Sequence, residues 1–254
     1  MDSRLRWTSD ENFTLDDVAY ASLARNSEPG RLTIYKPRHA IEQYEALVQA
    51  ARPRRILEMG IFGGGSTALL AQLASPTKLV ALDIREARVA VLDAFIRDHD
   101  LGDVVSVYFG VDQADTARLA EIVQHEFNGA PLDLVVDDAS HLIDETRTSF
   151  NLLFPHLRPG GSYVIEDWSW PHRSFVSPDP AYTAVTPISA FVLELALVAA
   201  CDQSVISEVT LQRGWALVRR GSAPLDGAAF DVTDHLDGVG AQMVSALAST
   251  RTPS

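Results

Sequence analysis

The chain has 254 residues, 46% of them hydrophobic, and a formal net charge of −13 at pH 7. That length buries one substantial core, while the negative balance is the wrong sign for gripping phosphates and excludes a nucleic-acid binder. One cysteine, Cys201, allows neither an internal disulfide nor a cysteine-held zinc, and the absence of a leader pattern or a bilayer-length apolar run places the expected protein in the cytoplasm, off the membrane.

In chain order, residues 1–36 read as an N-terminal segment contributing to an acceptor site, with residues 1–9 frayed. A helix follows from Pro37 to Ala51, opened by a proline whose missing N–H costs nothing at that position. Aliphatic and β-branched runs then alternate with helical spacing. Strands are predicted at Arg55–Met59, Leu79–Asp83, Val104–Phe109, Leu132–Asp137 and Ser162–Glu166. Helices are predicted between them at Ser66–Leu73, Glu86–Asp98, Ala114–Phe127 and Asp144–Leu157. The aromatic and proline-rich stretch from Trp168 to Thr186 reads as an ordered loop over a site. Thr186 is the expected N-cap of a helix with Pro187 at its first position and a body from Ile188 to Cys201. "SVISEVTLQRGWALVRR" closes the pattern as an antiparallel hairpin turning at Arg213-Gly214. The expected architecture is α/β: a seven-stranded mixed sheet, Rossmann-like, with helices on both faces. The domain spans 37–220, followed by a C-terminal extension over 221–254.

"RILEMGIFGGGSTALL" joins the first predicted strand of that domain to its helix. Its glycines let the backbone turn tightly beside a ligand, and the following helix N-terminus offers unpaired N–H groups. Phe62 stands where a dinucleotide fingerprint needs its second glycine, and no lysine follows as a phosphate loop requires. Glu58, just before Gly60, would repel pyrophosphate but suits a cation, and Asp83 at the next strand end suits a ribose diol. An adenosyl ligand with a positive charge satisfies both, and S-adenosylmethionine is such a ligand. Asp112, in "FGVDQAD", reads either as a helix cap or as a contact to that ligand.

"VVDDASHLIDE" places Asp137 and Asp138 at a strand end with His141 three residues on, and "GGSYVIEDWSW" places Glu166 and Asp167 at the next. Four carboxylates at one sheet edge repel one another unless a cation sits among them, and a hard divalent ion such as Mg2+ takes oxygen ligands. Strand alternation lets only one of Asp137 and Asp138 face that ion. Asp144 is expected to cap the following helix, which frees Asp138 for the metal. His141 lies within reach of a hydroxyl at such a centre and suits a general base. Aromatics Tyr35, Trp168, Trp170 and Tyr182, with His172, are the expected acceptor contacts.

The order of these motifs resembles class I methyltransferases. "DDxSH" with "IEDW", together with "YKPRHAIEQYEALV" before "RILEMGIFGGGS", is similar to the macrocin and mycinamicin sugar O-methyltransferase group over roughly Tyr35 to Trp168. Methyltransferases of methylmannose oligosaccharides are similar as a compact form of the same design. The resemblance implies that Glu58, Gly60, Gly64 and Ser66 lie along the methionine part of S-adenosylmethionine, that Asp83 takes the ribose, and that Asp112 and Gln113 flank adenine. It implies Asp138, Glu166 and Asp167 as magnesium ligands, His141 as base and Asp137 in support of the cofactor side. The implied acceptor is a small molecule or oligosaccharide, with a homodimer left open. A catechol-type methyltransferase is the alternative, though no lysine follows the fourth predicted strand of the domain. A nicotinamide reductase is disfavoured by Phe62, and a non-catalytic cofactor binder by the retained carboxylate pairs.

Overall fold

The computed structural model describes residues 3–25, 27–172 and 186–249. The chain forms two compact units, residues 1–112 and 113–254.

The first unit opens with a four-stranded sheet of β1 (Leu5–Trp7), β2 (Asn12–Leu15), β3 (Val18–Ser22) and β4 (Arg31–Ile34), ordered as in the chain. Only the β3–β4 pair is parallel. The fraying expected over residues 1–9 does not extend to β1, whose Leu5–Trp7 pair with Leu15–Phe13. Side chains explain this: Trp7 lies 4.6 Å from Phe13, and Phe13 stacks on Tyr20 at 4.9 Å. Aromatic pairs of this kind add about 1 kcal/mol beyond area burial, enough to hold a three-residue strand. The Tyr20 hydroxyl, its pKa raised by burial, donates to Gln72 Oε1 at 2.6 Å and ties the sheet to the helix that carries Gln72.

Next come α1 (Arg38–Ala51), β5 (Arg55–Met59), α2 (Gly65–Ala74), β6 (Lys78–Asp83), α3 (Ala90–Asp98) and β7 (Val105–Phe109), with β5, β6 and β7 parallel. Pro37 is the N-cap of α1 rather than its first residue, at φ −70 and ψ 157. Helix α3 starts four residues later than its spacing predicts. Before it, the Arg85 N–H donates to Asp83 Oδ1 and the Arg85 carbonyl accepts from Gly110, which holds that stretch off the helix.

The second unit contains α4 (Thr116–Phe127), β8 (Leu132–Asp137), α5 (Ile143–Leu153), β9 (Leu157–Glu166), α6 (Ile188–Cys201), β10 (Ile206–Leu211), β11 (Trp215–Arg220) and α7 (Gly238–Ser249). All six residues of β8 are buried, as expected where both faces of a strand are covered. The predicted end of α5 at Leu157 is corrected to Leu153. Pro155 brings in a short 3-10 turn, Phe154–His156, and Leu157 already pairs with Leu132 at the start of β9. "RPGG", residues 158–161 between the predicted helix and strand, lies inside β9, where the register shifts between Leu132 and Leu134. Pro187, not Thr186, caps α6, and Leu142, not Asp144, caps α5. Asp144 and Glu145 instead occupy the first turn of α5, where the helix dipole favours them.

β5-β6-β7 of the first unit and β10-β11-β9-β8 of the second are the strands of one seven-stranded mixed sheet. Its closing pair, β10 and β11, is the antiparallel hairpin expected from sequence. No helix among the described residues is long and apolar enough to cross a membrane.

Candidate active site

In the first unit, β5 delivers Glu58 to the interior, fully buried, where Thr67 Oγ1 donates to its Oε2 at 2.5 Å. After it the glycine loop turns. Gly60 donates its N–H to the Leu82 carbonyl, and Gly64, at φ +82, is the N-cap of α2 with no side chain to fill the cap. Ser66 sits half-buried in the first turn of that helix.

The reason for a glycine at 65 lies in the N-terminal sheet. A Cβ there would stand 2.1 Å from the Thr33 carbonyl oxygen of β4, backbone against backbone. Ser27 fastens the same approach, donating to the Gly63 carbonyl and accepting from the Thr33 N–H, both at 2.9 Å. Gly65→Ala is expected to destabilise the protein by about 3 kcal/mol, the upper range for overpacking, because no flexible side chain can yield. Urea unfolding measures this, and a loss below about 0.5 kcal/mol, the ordinary scale of a tolerated surface change, would contradict it.

Asp83 ends β6 and is almost fully hydrogen-bonded. Its Oδ2 accepts the N–H groups of Ile61 and Phe62, each at 3.0 Å, and Arg85 Nη2 at 2.9 Å; its Oδ1 accepts Arg85 N and Nε. Burial works to raise the carboxyl pKa, but the Arg85 guanidinium and the N–H groups of Arg85 and Phe62 outweigh it and hold the group below the usual carboxylate range. Asp83 therefore shapes the glycine loop as well as facing it. Arg85, two residues on, is a partner that sequence reading missed, although Asp-x-Arg at a strand end was the available signal. Tyr35 and Phe62 are exposed at 51% and 44% with ring centroids 6.1 Å apart. Asp112 is exposed at the end of this unit, and the capping role open to it falls to Asp115, whose side chain accepts from Arg118 N.

In the second unit, Asp138, His141 and Asp167 form one group whose ligand atoms lie within 4.8 Å of one another. His141 Nε2 is 3.8 Å from Asp138 Oδ1, and the His141 ring meets Trp170 edge-on at 5.8 Å. Two members stand at positive φ, His141 at +57 and Asp167 at +51, a left-handed backbone that costs an ordinary residue about 1 kcal/mol. Strain of this kind clusters at functional sites.

Three sequence expectations change here. Glu166 is not in the group: it is the last residue of β9, buried and paired with Trp215, and only Asp167 beyond it turns toward Asp138. Asp137 does not stand open to a cofactor. It is buried, accepts from Tyr163 Oη, Ser149 Oγ and Gln113 Nε2, and burial pushes its pKa up to about 6 against the pull of His141 and the Ala139 N–H. Gln113 likewise faces inward, its amide bonded to Asp137, Ser149 and the Ser140 N–H. Pleat alternation, which sends successive residues to opposite sides at a strand end, is the physical reason that Asp137 and Asp138 part.

Of the acceptor residues, Trp168 donates Nε1–H to the Gln212 carbonyl, and His172 Nε2 bonds Ser189 Oγ at 2.7 Å. Tyr182 lies outside the described residues.

The donor set fits a hard divalent cation. Mg2+ takes one or two carboxylates and leaves its other positions to water or substrate oxygens, whereas imidazole suits softer metals. On that chemistry Asp138 and Asp167 are the side chains of the group that could hold such an ion, and His141 stands beside them, its Nε2 3.8 Å from Asp138 Oδ1.

Residues 57–168 match a family model described as a methyltransferase domain. The chain is 36% identical over 127 residues to demethylmacrocin O-methyltransferase of Streptomyces fradiae, covering 46% of this chain and 29% of that protein. It is 32% identical over 133 residues to mycinamicin VI 2''-O-methyltransferase of Micromonospora griseorubida, with 46% and 28% covered. The matched part thus spans less than a third of either relative. Among solved structures, the MycE methyltransferase of the mycinamycin biosynthetic pathway, in complex with Mg and SAH, is 27% identical with a TM-score of 0.51, over 71% of this chain and 49% of that one. TomG of Streptomyces achromogenes, in complex with SAM, shares the fold at 20% identity and a TM-score of 0.53, over 72% of this chain and 80% of that one.

Proposed function

We propose that this chain, whose residues 57–168 match a methyltransferase domain model, moves a methyl group from S-adenosylmethionine to a sugar hydroxyl with the help of a divalent cation. The observation that carries the reading is the group of Asp138, His141 and Asp167 at the ends of β8 and β9, carboxylates with a base beside them. Relatives named as O-methyltransferases of L-olivosyl-oleandolide and of an alpha-L-rhamnosyl tetracenomycin-C support the acceptor class.

When bound, the cation supplies Lewis acidity that brings a sugar hydroxyl within reach of an imidazole base. Asp138 and Asp167 would hold it. His141 takes the hydroxyl proton at Nε2, the atom turned toward Asp138, as the oxygen attacks the methyl carbon and the carbon–sulfur bond breaks. The proton then passes from His141 to solvent. Glu58, Gly60, Gly64 and Ser66 line the methionine portion of the donor, Asp83 the ribose and Asp112 the adenine side. Tyr35, Trp168, Trp170 and His172 meet the acceptor, Trp170 through its contact with His141.

Asp83→Ala is expected to weaken S-adenosylmethionine binding at least about tenfold in calorimetry, since it removes a charged acceptor worth roughly 1.5–3 kcal/mol. Glu58→Ala acts in the same direction. Wild-type affinity in both would refute the pocket.

The deciding experiment is a radiolabelled methyl-transfer screen over glycosylated natural products, methylmannose oligosaccharides, monosaccharides and catechols, with and without Mg2+. Label is expected in a sugar acceptor and only with the metal. Label in a catechol and in no sugar would overturn the acceptor class.

A further inference from the structure

Gln113 is the first residue of the second unit and is buried in it. Both ends of its amide are used. Oε1 accepts the Ser140 N–H at 2.8 Å, while Nε2 donates to Asp137 Oδ2 at 3.2 Å and to Ser149 Oγ at 3.2 Å. The amide cannot be turned over: a carbonyl would then face the Asp137 carboxylate, and an NH2 would face an N–H. Asp137 in turn accepts from the Ala139 N–H and from Tyr163 Oη. The successive N–H groups of Ala139 and Ser140 are therefore tied to two buried side chains that are bonded to each other.

Between and beside those ties stand Asp138 and His141. The turn that bears them ends in a left-handed His141, a backbone that persists only where its surroundings hold it. No side chain other than an amide of this length both accepts from Ser140 and donates to Asp137. A glutamate would keep the first bond and set two carboxylates against each other; an aliphatic residue would keep neither.

We infer that Gln113 is a positioning residue for the metal centre: through Ser140 and Asp137 it holds the Asp138–His141 turn in the shape that receives the divalent cation, and it does not contact the cofactor. This rests on the proposed reading of Asp138 as a metal ligand. The partners that orient metal ligands typically change metal affinity by 10–100-fold when replaced, and that scale sets the expected result.

The test is a Mn2+ titration of the full chain followed by electron paramagnetic resonance, beside calorimetry of S-adenosylhomocysteine. Wild type binds Mn2+ and Asp138→Ala does not. Gln113→Glu lowers Mn2+ affinity at least about tenfold, with S-adenosylhomocysteine affinity within about twofold of wild type. Adding Asp137→Asn to Gln113→Glu recreates the amide–carboxylate pair with the roles exchanged, and Mn2+ affinity returns to within about threefold of wild type. A folding defect alone would not be repaired selectively at the metal, and the double variant stays informative if the single one unfolds. Wild-type Mn2+ affinity in Gln113→Glu, a double variant that binds no better than the single one, or a loss of S-adenosylhomocysteine with Mn2+ retained each overturns the inference. Wild type that binds Mn2+ no better than Asp138→Ala overturns the metal reading together with it.

Discussion

Chelation with EDTA is expected to abolish the proposed methylation of a sugar acceptor, and Mg2+ in excess to restore it. The expected loss is at least about a thousandfold, roughly 4 kcal/mol of barrier, on the scale of a Lewis acid's effect on developing charge. A sugar alcohol is far too weak an acid for an imidazole to deprotonate unaided, so the proposed reaction calls for metal and base together. Asp138 and Asp167 are two carboxylates with ligand atoms within 4.8 Å of each other and of His141. Asp138→Ala is therefore expected to stay inactive at every Mg2+ concentration. Turnover that continues at full rate in chelator would remove the cation from the reaction.

Loss of the base has the second largest effect. His141→Asn is expected to lower kcat by about 10^2 to 10^4, the usual contribution of general base catalysis. Asparagine is the better replacement than alanine, because position 141 stands at φ +57 and asparagine tolerates a left-handed backbone. S-adenosylhomocysteine affinity, read by calorimetry, should stay at the wild-type value, and so should thermal stability. A variant with unchanged turnover would dismiss His141 as base; one that also lost the cofactor would recast it as structural.

The positions on which the proposed chemistry rests carry local signals in the chain. Glycines at 60 and 63–65, acids at 58 and 83, and the Asp138–His141 spacing are local signals, and strand alternation alone separated Asp138 from Asp137. The parallel strands Arg55–Met59 and Leu132–Asp137 have the predicted bounds because buried strands read as unbroken aliphatic runs. Where the prediction missed, a distant partner had the deciding influence. The early start of β9 at Leu157 depends on pairing with Leu132, the late start of α3 on Gly110 and Asp83, and the order of residues 5–7 on Phe13 and Tyr20. The hydrogen bonds of Gln113 are of the same distant kind: the resemblance implies an adenine contact, while its amide bonds Asp137 and the N–H of Ser140, 27 positions away.

By itself the amino-acid order determined the class of fold, the loop that needs glycine and the acids and imidazole available for catalysis, because periodicity, turn chemistry and residue type act over a few positions. Tertiary structure alone decided which of those acids share a space with His141, that Asp137 and Gln113 are bonded to each other and to N–H groups of one turn, and that β4 forbids a side chain at 65. Burial and hydrogen-bond satisfaction are properties of groups brought together from far apart in the chain.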